Sequence, residues 1–440
     1  MKRWYWFTQF IVGALLATAC LPQGVRIPQS PLLRVLERKV GLIAYVGTDG
    51  NIYTVDQAGN KQTPLTADAA TSETSQLRYG FPTWSRDGKR LAFVGYNQSE
   101  EGTQATLYTA DRDGENQVEA FQSDSAAPFY LYWSPDSQSV TFLSTTPGGD
   151  SLKLDMVPAE GGEVKTLDAG QPYYWSWAPD SKSMLVHVNG ASNLDPSARL
   201  AMLRVEETVT EQGMGFRPAL FQAPEISPNG EQMLFAAEDE DGTPSLMLAD
   251  RSGSGERVLT TFEGTVAFAL SPDGDRLAYI RTEQPRLGAL GNMTIVDLSG
   301  KGEPIEIEEE PVLAFFWAPD GEQIAYFVPS IIRPTPNPDA PSASGGEEDI
   351  QVVLNLFVAN ANSGQTRPVA GFRPTDEFLN ILPYFDQYHR SATIWSPDSN
   401  NLVLSAYAGD GTPGVWVSPS DGNLEPRFLI EGLLGFWSWK

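Results

Sequence analysis

The sequence of 440 residues contains one cysteine and only two histidines, His187 and His389. A single cysteine excludes an intramolecular disulfide and any cysteine-rich zinc or iron–sulfur site, and two histidines leave little for a histidine-based metal centre. Basic residues are also scarce, because 30 lysines and arginines stand against 56 acidic residues, a formal net charge of −26. This charge argues against a nucleic-acid surface and against electrostatic binding to anionic lipids. We therefore expect no metal, no cofactor and no nucleic acid.

Familiar catalytic motifs are missing as well. No G-x-S-x-G nucleophile elbow occurs, and no glycine-rich phosphate loop follows a strand and opens a helix. The segment DRDGE at 111–115 has its glycine too early for a calcium loop and is interpreted as a turn between strands. His187 lies in an apolar strand segment and is interpreted as a packed strand residue. We assign no catalytic residue.

The first 19 residues have the composition of an export signal. Lys2 and Arg3 precede an apolar run that ends in small residues, and Cys20 follows directly. This arrangement resembles a bacterial lipoprotein signal. The resemblance implies lipidation of Cys20 and a protein held at the cell membrane or outer membrane, facing the periplasm or the cell exterior. An ordinary secretory signal is the alternative, and residues 20–38 are interpreted as a tether.

The rest of the sequence repeats a motif of the form W-S-P-D-G. Its copies begin at Trp84, Trp133, Trp177, Ile226, Leu270, Trp317 and Trp395. Three short segments separated by turns follow each copy, which predicts units of four antiparallel strands. Serine, proline, aspartate and glycine suit the successive positions of a tight turn. The tryptophan predicts an apolar surface that packs one unit against the next.

Three copies of the motif have serine in place of the turn glycine, at Ser137, Ser181 and Ser399. Glycine is favoured at this position because the turn requires a positive φ. We therefore expect strain or a different geometry in these three turns.

The two ends of the repeat region complement each other. Residues 41–66 contain the second to fourth strands of a unit without a preceding motif, whereas the terminal GFWSWK matches the YWSW before Ala178. Aligning Trp439 with Trp177 makes the C-terminus the missing first strand, which closes a ring without free edges. The sequence thus predicts an all-β fold, an eight-bladed β-propeller of four-stranded antiparallel blades over residues 39–440. Seven blades is the alternative if one degenerate copy is miscounted.

The repeat resembles the WD40-like propeller repeat of TolB-type proteins. The resemblance covers nearly all of residues 39–440 and rests on the motif, the apolar strand after it and the short strand that follows. It implies the propeller fold and says little about function. TolB-type proteins have a smaller α/β domain before their blades, and this sequence shows none, so the resemblance does not extend to their role.

The long connections are all expected on one face of the ring. Connections between strands two and three and those between blades share a face of a propeller, and here they include insertions at 330–350 and 371–391. The first insertion is polar and proline-rich. The second is apolar, and it is either a short helix that plugs the mouth of the ring or a site for a partner or ligand. Its candidate contact residues are Phe378, Tyr384, Phe385, Asp386, Tyr388, His389 and Arg390.

Runs of acidic residues are expected in loops of the same face. They occur at Glu100–Glu101, Glu238–Asp241, Glu308–Glu310 and Glu347–Asp349. They form either a solvated, repelling surface or a docking site for a basic partner or for divalent cations. The candidate contacts in such a site are Glu238, Asp239, Glu240 and Asp241.

Together these features favour an exported, lipid-anchored, monomeric propeller that binds or scaffolds a protein or ligand at the bacterial cell envelope without catalysis. One alternative is a hydrolase or lyase that acts on glycans or peptides with carboxylates in the central cleft. Another is an accessory or sensor subunit of an envelope transport complex. A deep pocket with carboxylates, His389 and Arg390 favours the enzyme, whereas a plugged, shallow mouth favours binding.

Overall fold

The computed structural model describes residues 39–72, 75–100, 102–146, 149, 151–190, 195–283, 290–332 and 351–440. Within them the chain forms eight antiparallel sheets, so the prediction of an eight-bladed propeller is confirmed. The predicted signal, Cys20 and the tether lie outside the described residues. So does 333–350, most of the first insertion. In the part of the chain that the structure describes, no helix has the length and apolar character needed to cross a membrane.

Each blade runs from a first strand near the ring axis to a last strand at the rim. Blade 1 consists of the strands Leu434–Trp437, Ile43–Val46, Ile52–Val55 and Thr63–Pro64, and blade 2 of Ser75–Trp84, Arg90–Ser99, Gly102–Asp111 and Val118–Ser123. Blade 3 consists of Pro128–Trp133, Ser139–Thr145, Leu152–Pro158 and Lys165–Gly170, and blade 4 of Tyr173–Trp177, Ser183–Val188, Arg199–Val205 and Val209–Gly213. Blade 5 consists of Glu225–Ile226, Gln232–Glu238, Pro244–Asp250 and Arg257–Thr261, and blade 6 of Val266–Leu270, Arg276–Arg281, Gly291–Asp297 and Ile305–Val312. Blade 7 consists of Ala314–Trp317, Gln323–Ile332, Gln351–Asn360 and Thr366–Phe372, and blade 8 of Asn401–Tyr407, Pro413–Pro419 and Arg427–Glu431.

Two blades depart locally from four strands. In blade 2 a short extra strand, Ala70–Thr71, pairs with Gln76 and Leu77 at the beginning of the ten-residue first strand. In blade 8 the first strand is reduced to one bridge between Trp395 and Leu402, where the chain arrives from the second insertion.

Ring closure is confirmed, but the register differs from the one expected. The C-terminal strand Leu434–Trp437 pairs with Ile43–Val46 and completes the N-terminal blade. Trp437 pairs with Ile43 as the motif residue Trp84 pairs with Leu91. The alignment through Trp439 was therefore wrong by two residues, because the terminal sequence contains two tryptophans that both fit the motif.

The motif tryptophans join neighbouring blades through hydrogen bonds. Four indole N–H groups donate to a first-strand carbonyl of the preceding blade: Trp84 to Phe436 (3.2 Å), Trp133 to Thr83 (3.0 Å), Trp317 to Ala269 (3.0 Å) and Trp395 to Phe316 (2.9 Å). Trp177 donates instead to Thr141 Oγ1 in the second strand of blade 3 (3.3 Å). Where the motif lacks tryptophan, the N–H of Ile226 donates to Ser176 Oγ (3.1 Å). Likewise the N–H of Leu270 donates to the Glu225 carboxylate (2.9 Å). Contact between blades thus combines apolar packing with hydrogen bonds.

The three serines at left-handed turn positions also link neighbouring blades. Ser137, Ser181 and Ser399 have φ angles of 61°, 57° and 61°, in the region that favours glycine. Their hydroxyl groups accept from the backbone N–H of the motif aspartate in the preceding blade, at Asp87 (3.3 Å), Asp136 (3.0 Å) and Asp320 (3.1 Å). A hydrogen bond between blades therefore offsets the expected strain.

Substitution of Ser181 separates strain from hydrogen bonding. Ser181→Gly removes strain of about 1 kcal/mol and a hydrogen bond of similar value, so its free energy of unfolding is expected to stay within about 0.5 kcal/mol of wild type. Ser181→Ala keeps the strain and loses the bond, and is expected to be about 1 kcal/mol less stable than the glycine variant. Urea denaturation measures both values. A glycine variant that is the less stable of the two contradicts this explanation.

Candidate functional site

The insertion at 371–391 folds into two short helices at the mouth of the ring, and we call it the plug. Its helices are Asp376–Ile381 and Phe385–Tyr388, joined by a 3-10 turn, Leu382–Tyr384. Thr375 caps the first helix, because its hydroxyl oxygen accepts from the N–H of Phe378 (3.4 Å).

Phenylalanine side chains hold the plug on blade 7. Phe378 is fully buried, and its ring meets Phe327 edge-on at 5.6 Å between centroids. Phe385 is 1% exposed, and its ring lies 4.7 Å from that of Phe315. Each such side chain stabilises the folded state by about 1.5–3 kcal/mol when buried. The sequence named Phe378 and Phe385 as candidate partner contacts, and the structure places both in the core.

Polar contacts extend the plug to the other side of the ring. The hydroxyl of Tyr130 in blade 3 donates to the carbonyl of Gln387 (2.8 Å). Gln387 Nε2 donates to the carbonyl of Trp175 in blade 4 (3.2 Å). The ring of Tyr388 stands edge-on against Tyr130 at 5.0 Å. The plug thus forms short helices, and it contacts first strands on opposite sides of the axis.

Arg390 lies buried between the plug and two blades. Its side chain is 3% exposed, Nη1 donates to the Trp175 carbonyl (3.4 Å), and Nη2 lies 3.8 Å from Glu225 Oε2. Burial raises the pKa of Glu225, and the positive charge of Arg390 opposes this shift. The ion pair therefore ties the plug to blade 5.

Asp386 is the buried carboxyl of the plug itself. Its Oδ2 accepts from the backbone N–H of Ala223 (3.3 Å) at the entry to blade 5. Burial raises the pKa of Asp386 to about 6, although this N–H group and Arg390 both favour the charged form. The carboxyl therefore changes its charge close to neutral pH.

His389 is held neutral next to this cluster. Burial and the adjacent charge of Arg390 lower the pKa of His389 well below its usual range. Its Nε2 accepts from Arg390 Nε (3.4 Å), which assigns the imidazole proton to Nδ1. His389 is thus not a protonated acid at neutral pH.

The acidic run Glu238–Asp241 forms the connection between strands two and three of blade 5. Asp239 accepts from the backbone N–H groups of Asp241 (3.0 Å) and Thr243 (2.9 Å), and Glu238 pairs with Arg217 (3.0 Å). These two carboxylates therefore stabilise the loop. Glu240 and Asp241 are exposed and are the members of the run available to a partner.

The other acidic runs are described only in part. Glu101, the run Glu347–Asp349 and the side chains of Glu308–Glu310 lie outside the described residues. In the described ranges, no group of three or more histidine, cysteine, aspartate or glutamate side chains could hold a metal ion.

The structure brings Asp386, His389 and Arg390 together, and it adds Glu225, which the sequence interpretation missed. The repeat alignment holds a signal for it. Glu225 stands directly before Ile226, at a first-strand position that other units fill with Thr83, Tyr132, Ser176, Ala269, Phe316 and Ile394. The other units have uncharged residues at this position, so a glutamate here indicates a polar contact near the axis. Tyr130 and Trp175 carry no such signal, because aromatic residues are common in first strands.

Comparison with known proteins shows likeness in fold. No protein-family model matches the sequence, and no curated protein does. Similar solved structures include TolB from Acinetobacter baumannii, with 15% identity over 77% of this chain and 79% of that chain and a TM-score of 0.37. They also include an oligogalacturonate lyase in complex with manganese, with 14% identity over 91% of this chain and 98% of that chain and a TM-score of 0.49. A puromycin-hydrolysing peptidase of Mycobacterium tuberculosis has 16% identity over 73% of this chain and 51% of that chain, with a TM-score of 0.43. TolB proteins are thus among the solved structures to which this chain is similar.

Proposed function

We propose that this protein is an exported, lipid-anchored, non-catalytic β-propeller that binds a protein partner at the bacterial cell envelope. Binding would use the plug face, which we define as the face that carries the plug and the Glu238–Asp241 loop. The observation that supports this function best is the plug. It uses its apolar and charged side chains to close the ring, and so provides a fixed surface in place of an open central cleft.

The outer side of the plug has the composition of a recognition surface. Its exposed residues are Arg373, Asp376 and Asn380. Two half-buried tyrosines follow them in the sequence, Tyr384 and Tyr388. Aromatic and arginine side chains are enriched where proteins bind one another, and loops fixed on a rigid scaffold often carry recognition. The plug is anchored on blades 3, 4 and 7, so little further ordering is needed on binding.

The exposed carboxylates of the same face favour a basic partner. Glu240→Gln with Asp241→Asn is expected to reduce recovery of the crosslinked partner from native membranes several-fold at physiological salt, because rim charges steer association. Asp275→Asn with Glu322→Gln is the matched control, since it removes the same charge from exposed positions among the motif turns of the opposite face.

High salt supplies the second arm of this experiment. The difference between the two double variants is expected to disappear as salt screens the charges. Equal recovery from wild type and both variants at low salt would remove the electrostatic part of the proposal. The identity of the recovered protein also decides whether this chain is an accessory or sensor subunit of a transport complex.

The anchor is tested separately. Mass spectrometry of the membrane fraction is expected to find Cys20 as the acylated N-terminus, with residues 1–19 removed. An unmodified Cys20 in that fraction would contradict the anchor and leave the binding surface unaffected.

An enzyme acting on glycans or peptides is the second candidate, and the two carboxyls with raised pKa favour it, because a general acid needs such a pKa. Asp386 in the plug and Glu225 in blade 5 each accept a backbone hydrogen bond, however, and both are buried near Arg390. These contacts support a structural role. Turnover of a glycan or peptide that disappears in a folded Asp386→Asn variant would favour the enzyme.

A further inference from the structure

The face opposite the plug contains a cleft with an unusual charge. We call this face the turn face, because the motif turns and the turns between strands three and four lie there. A cleft of about 530 Å³ lies between blades 1 and 2. Its charged lining consists of Lys39, Lys61, Arg112 and Lys440 against Asp56 and Asp113. Basic side chains thus outnumber acidic ones here, the reverse of the balance in the whole chain.

Both carboxylates of the cleft accept hydrogen bonds, and Asp56 is also paired with a cation. Asp56 accepts from Lys39 Nζ (2.6 Å) and from the backbone N–H groups of Ala58 (3.0 Å) and Asn60 (2.9 Å). Asp113 accepts from a backbone N–H group in its own turn.

The remaining cations of the cleft have no carboxylate partner among the residues that the structure describes. Lys61, Arg112 and Lys440 are exposed and form no ion pair with any carboxylate in the described ranges. Three cationic side chains of the cleft lining are therefore available to a ligand.

Lys61 occupies a backbone position that does not favour lysine. Its φ is 56°, and the same position of the equivalent turns holds Asn116 (φ 50°) in blade 2 and Gly255 (φ 64°) in blade 5. These turns are equivalent because each has the same hydrogen bond, from a glycine N–H to the carbonyl of the aspartate three residues before it. Lys61, Asn116 and Gly255 each stand two residues after that glycine. A side chain with Cβ is disfavoured at such φ, and asparagine and glycine tolerate it best. The backbone conformation therefore does not explain a lysine at this position. A role for its cation in the cleft does explain it.

We propose that this cleft binds a phosphate-bearing anion, with Lys61, Arg112 and Lys440 as its cationic contacts. Arginine and lysine make charge-assisted hydrogen bonds to phosphate oxygens. The net charge of the chain does not prevent this, because charges are screened over about 8 Å at physiological salt. The cleft opens on the turn face, so a soluble phosphate compound and the headgroup of an anionic lipid present the same chemistry to it. This site lies away from the plug face and does not rest on the proposed function.

The test uses the full chain and two phosphate probes. One probe is inorganic pyrophosphate, and the other is phosphatidylcholine vesicles with and without phosphatidylglycerol. The variants are Lys61→Gly and the double variant Lys61→Gln with Arg112→Gln. The control, Lys182→Gln with Lys301→Gln, removes the same charge from exposed lysines in other turns of this face.

Lys61→Gly is the most informative variant, because it removes the cation and relieves the backbone. Its thermal midpoint without probe is expected to equal or exceed that of wild type, while its affinity for the probe falls roughly tenfold. The double variant is expected to lose measurable binding, and the control to bind as wild type does.

The two probes distinguish the sources of the phosphate. Binding of pyrophosphate with this pattern of variants identifies a soluble ligand, and binding only of vesicles that contain phosphatidylglycerol identifies a lipid headgroup. Wild type that binds neither probe overturns the proposal. So do Lys61→Gly and the double variant if they bind with wild-type affinity.

Discussion

Phe385→Ala is expected to lower the free energy of unfolding by about 3 to 5 kcal/mol, the usual cost of removing a buried aromatic ring from a core. Phe385 is 1% exposed and packs on Phe315 in the first strand of blade 7. Truncation leaves a cavity between the plug and the ring. The strand that carries Phe315 is paired along its length with the second strand of blade 7, which limits its collapse into this cavity. Denaturant unfolding followed by tryptophan fluorescence measures the change.

Asn380→Ala is the control for this substitution. Asn380 lies on the exposed side of the first plug helix, so the same measurement is expected to give a change within about 0.5 kcal/mol. A loss below about 1 kcal/mol for Phe385→Ala would mean that the plug is not part of the core.

Asp386→Asn is expected to stabilise the protein by roughly 1 to 3 kcal/mol at pH 7.5, and by about a third of that amount at pH 4.5. The pKa of Asp386 is raised from 3.8 to about 6, so the folded protein holds a proton that the unfolded chain has already released. The stability that this proton contributes is present at low pH and is lost as the pH rises through 6. Asparagine stays neutral and avoids the loss, although it gives up the attraction of Arg390.

The comparison of variant with wild type at both pH values isolates this carboxyl. Aspartates of the motif turns have a lowered pKa, as at Asp180, Asp273 and Asp398. Their contribution to the stability of the protein therefore has the opposite pH dependence and is lost as the pH falls. They are present in both proteins and cancel. Glu240→Gln is the control for removal of one carboxylate at an exposed site. A gain from Asp386→Asn that is equal at both pH values would contradict a raised pKa for this buried carboxyl.

The ring could be predicted from sequence because its information is local. A motif turn, the strand after it and the next turn lie within a few residues of one another, and each unit repeats them. Closure was predictable as well, but its register was not, because Trp437 and Trp439 both fit the motif. Only the pairing of Trp437 with Ile43 decides between them.

The site could be predicted only in part, because closure of the ring brings distant residues together. The apolar side chains of 371–391 indicated a plug or a binding site, and the structure shows the plug. Its partners are far away in the chain: Tyr130 meets Gln387, and Arg390 approaches Glu225.

The basic cleft was hidden from sequence for a similar reason. Lys39 and Lys440 come from opposite ends of the chain and meet only in the closed ring. A net charge averages over the whole surface, so the excess of carboxylates concealed this local group of cations.

Site-specific photocrosslinking in native membranes tests most directly whether the plug face binds a partner. A photoreactive residue is placed at Asn380, exposed on the plug, or at Lys182, exposed on the turn face. We expect one discrete crosslinked protein from position 380 and none of that species from position 182. A partner crosslinked from position 182 alone, or none from either position, would contradict binding through the plug face.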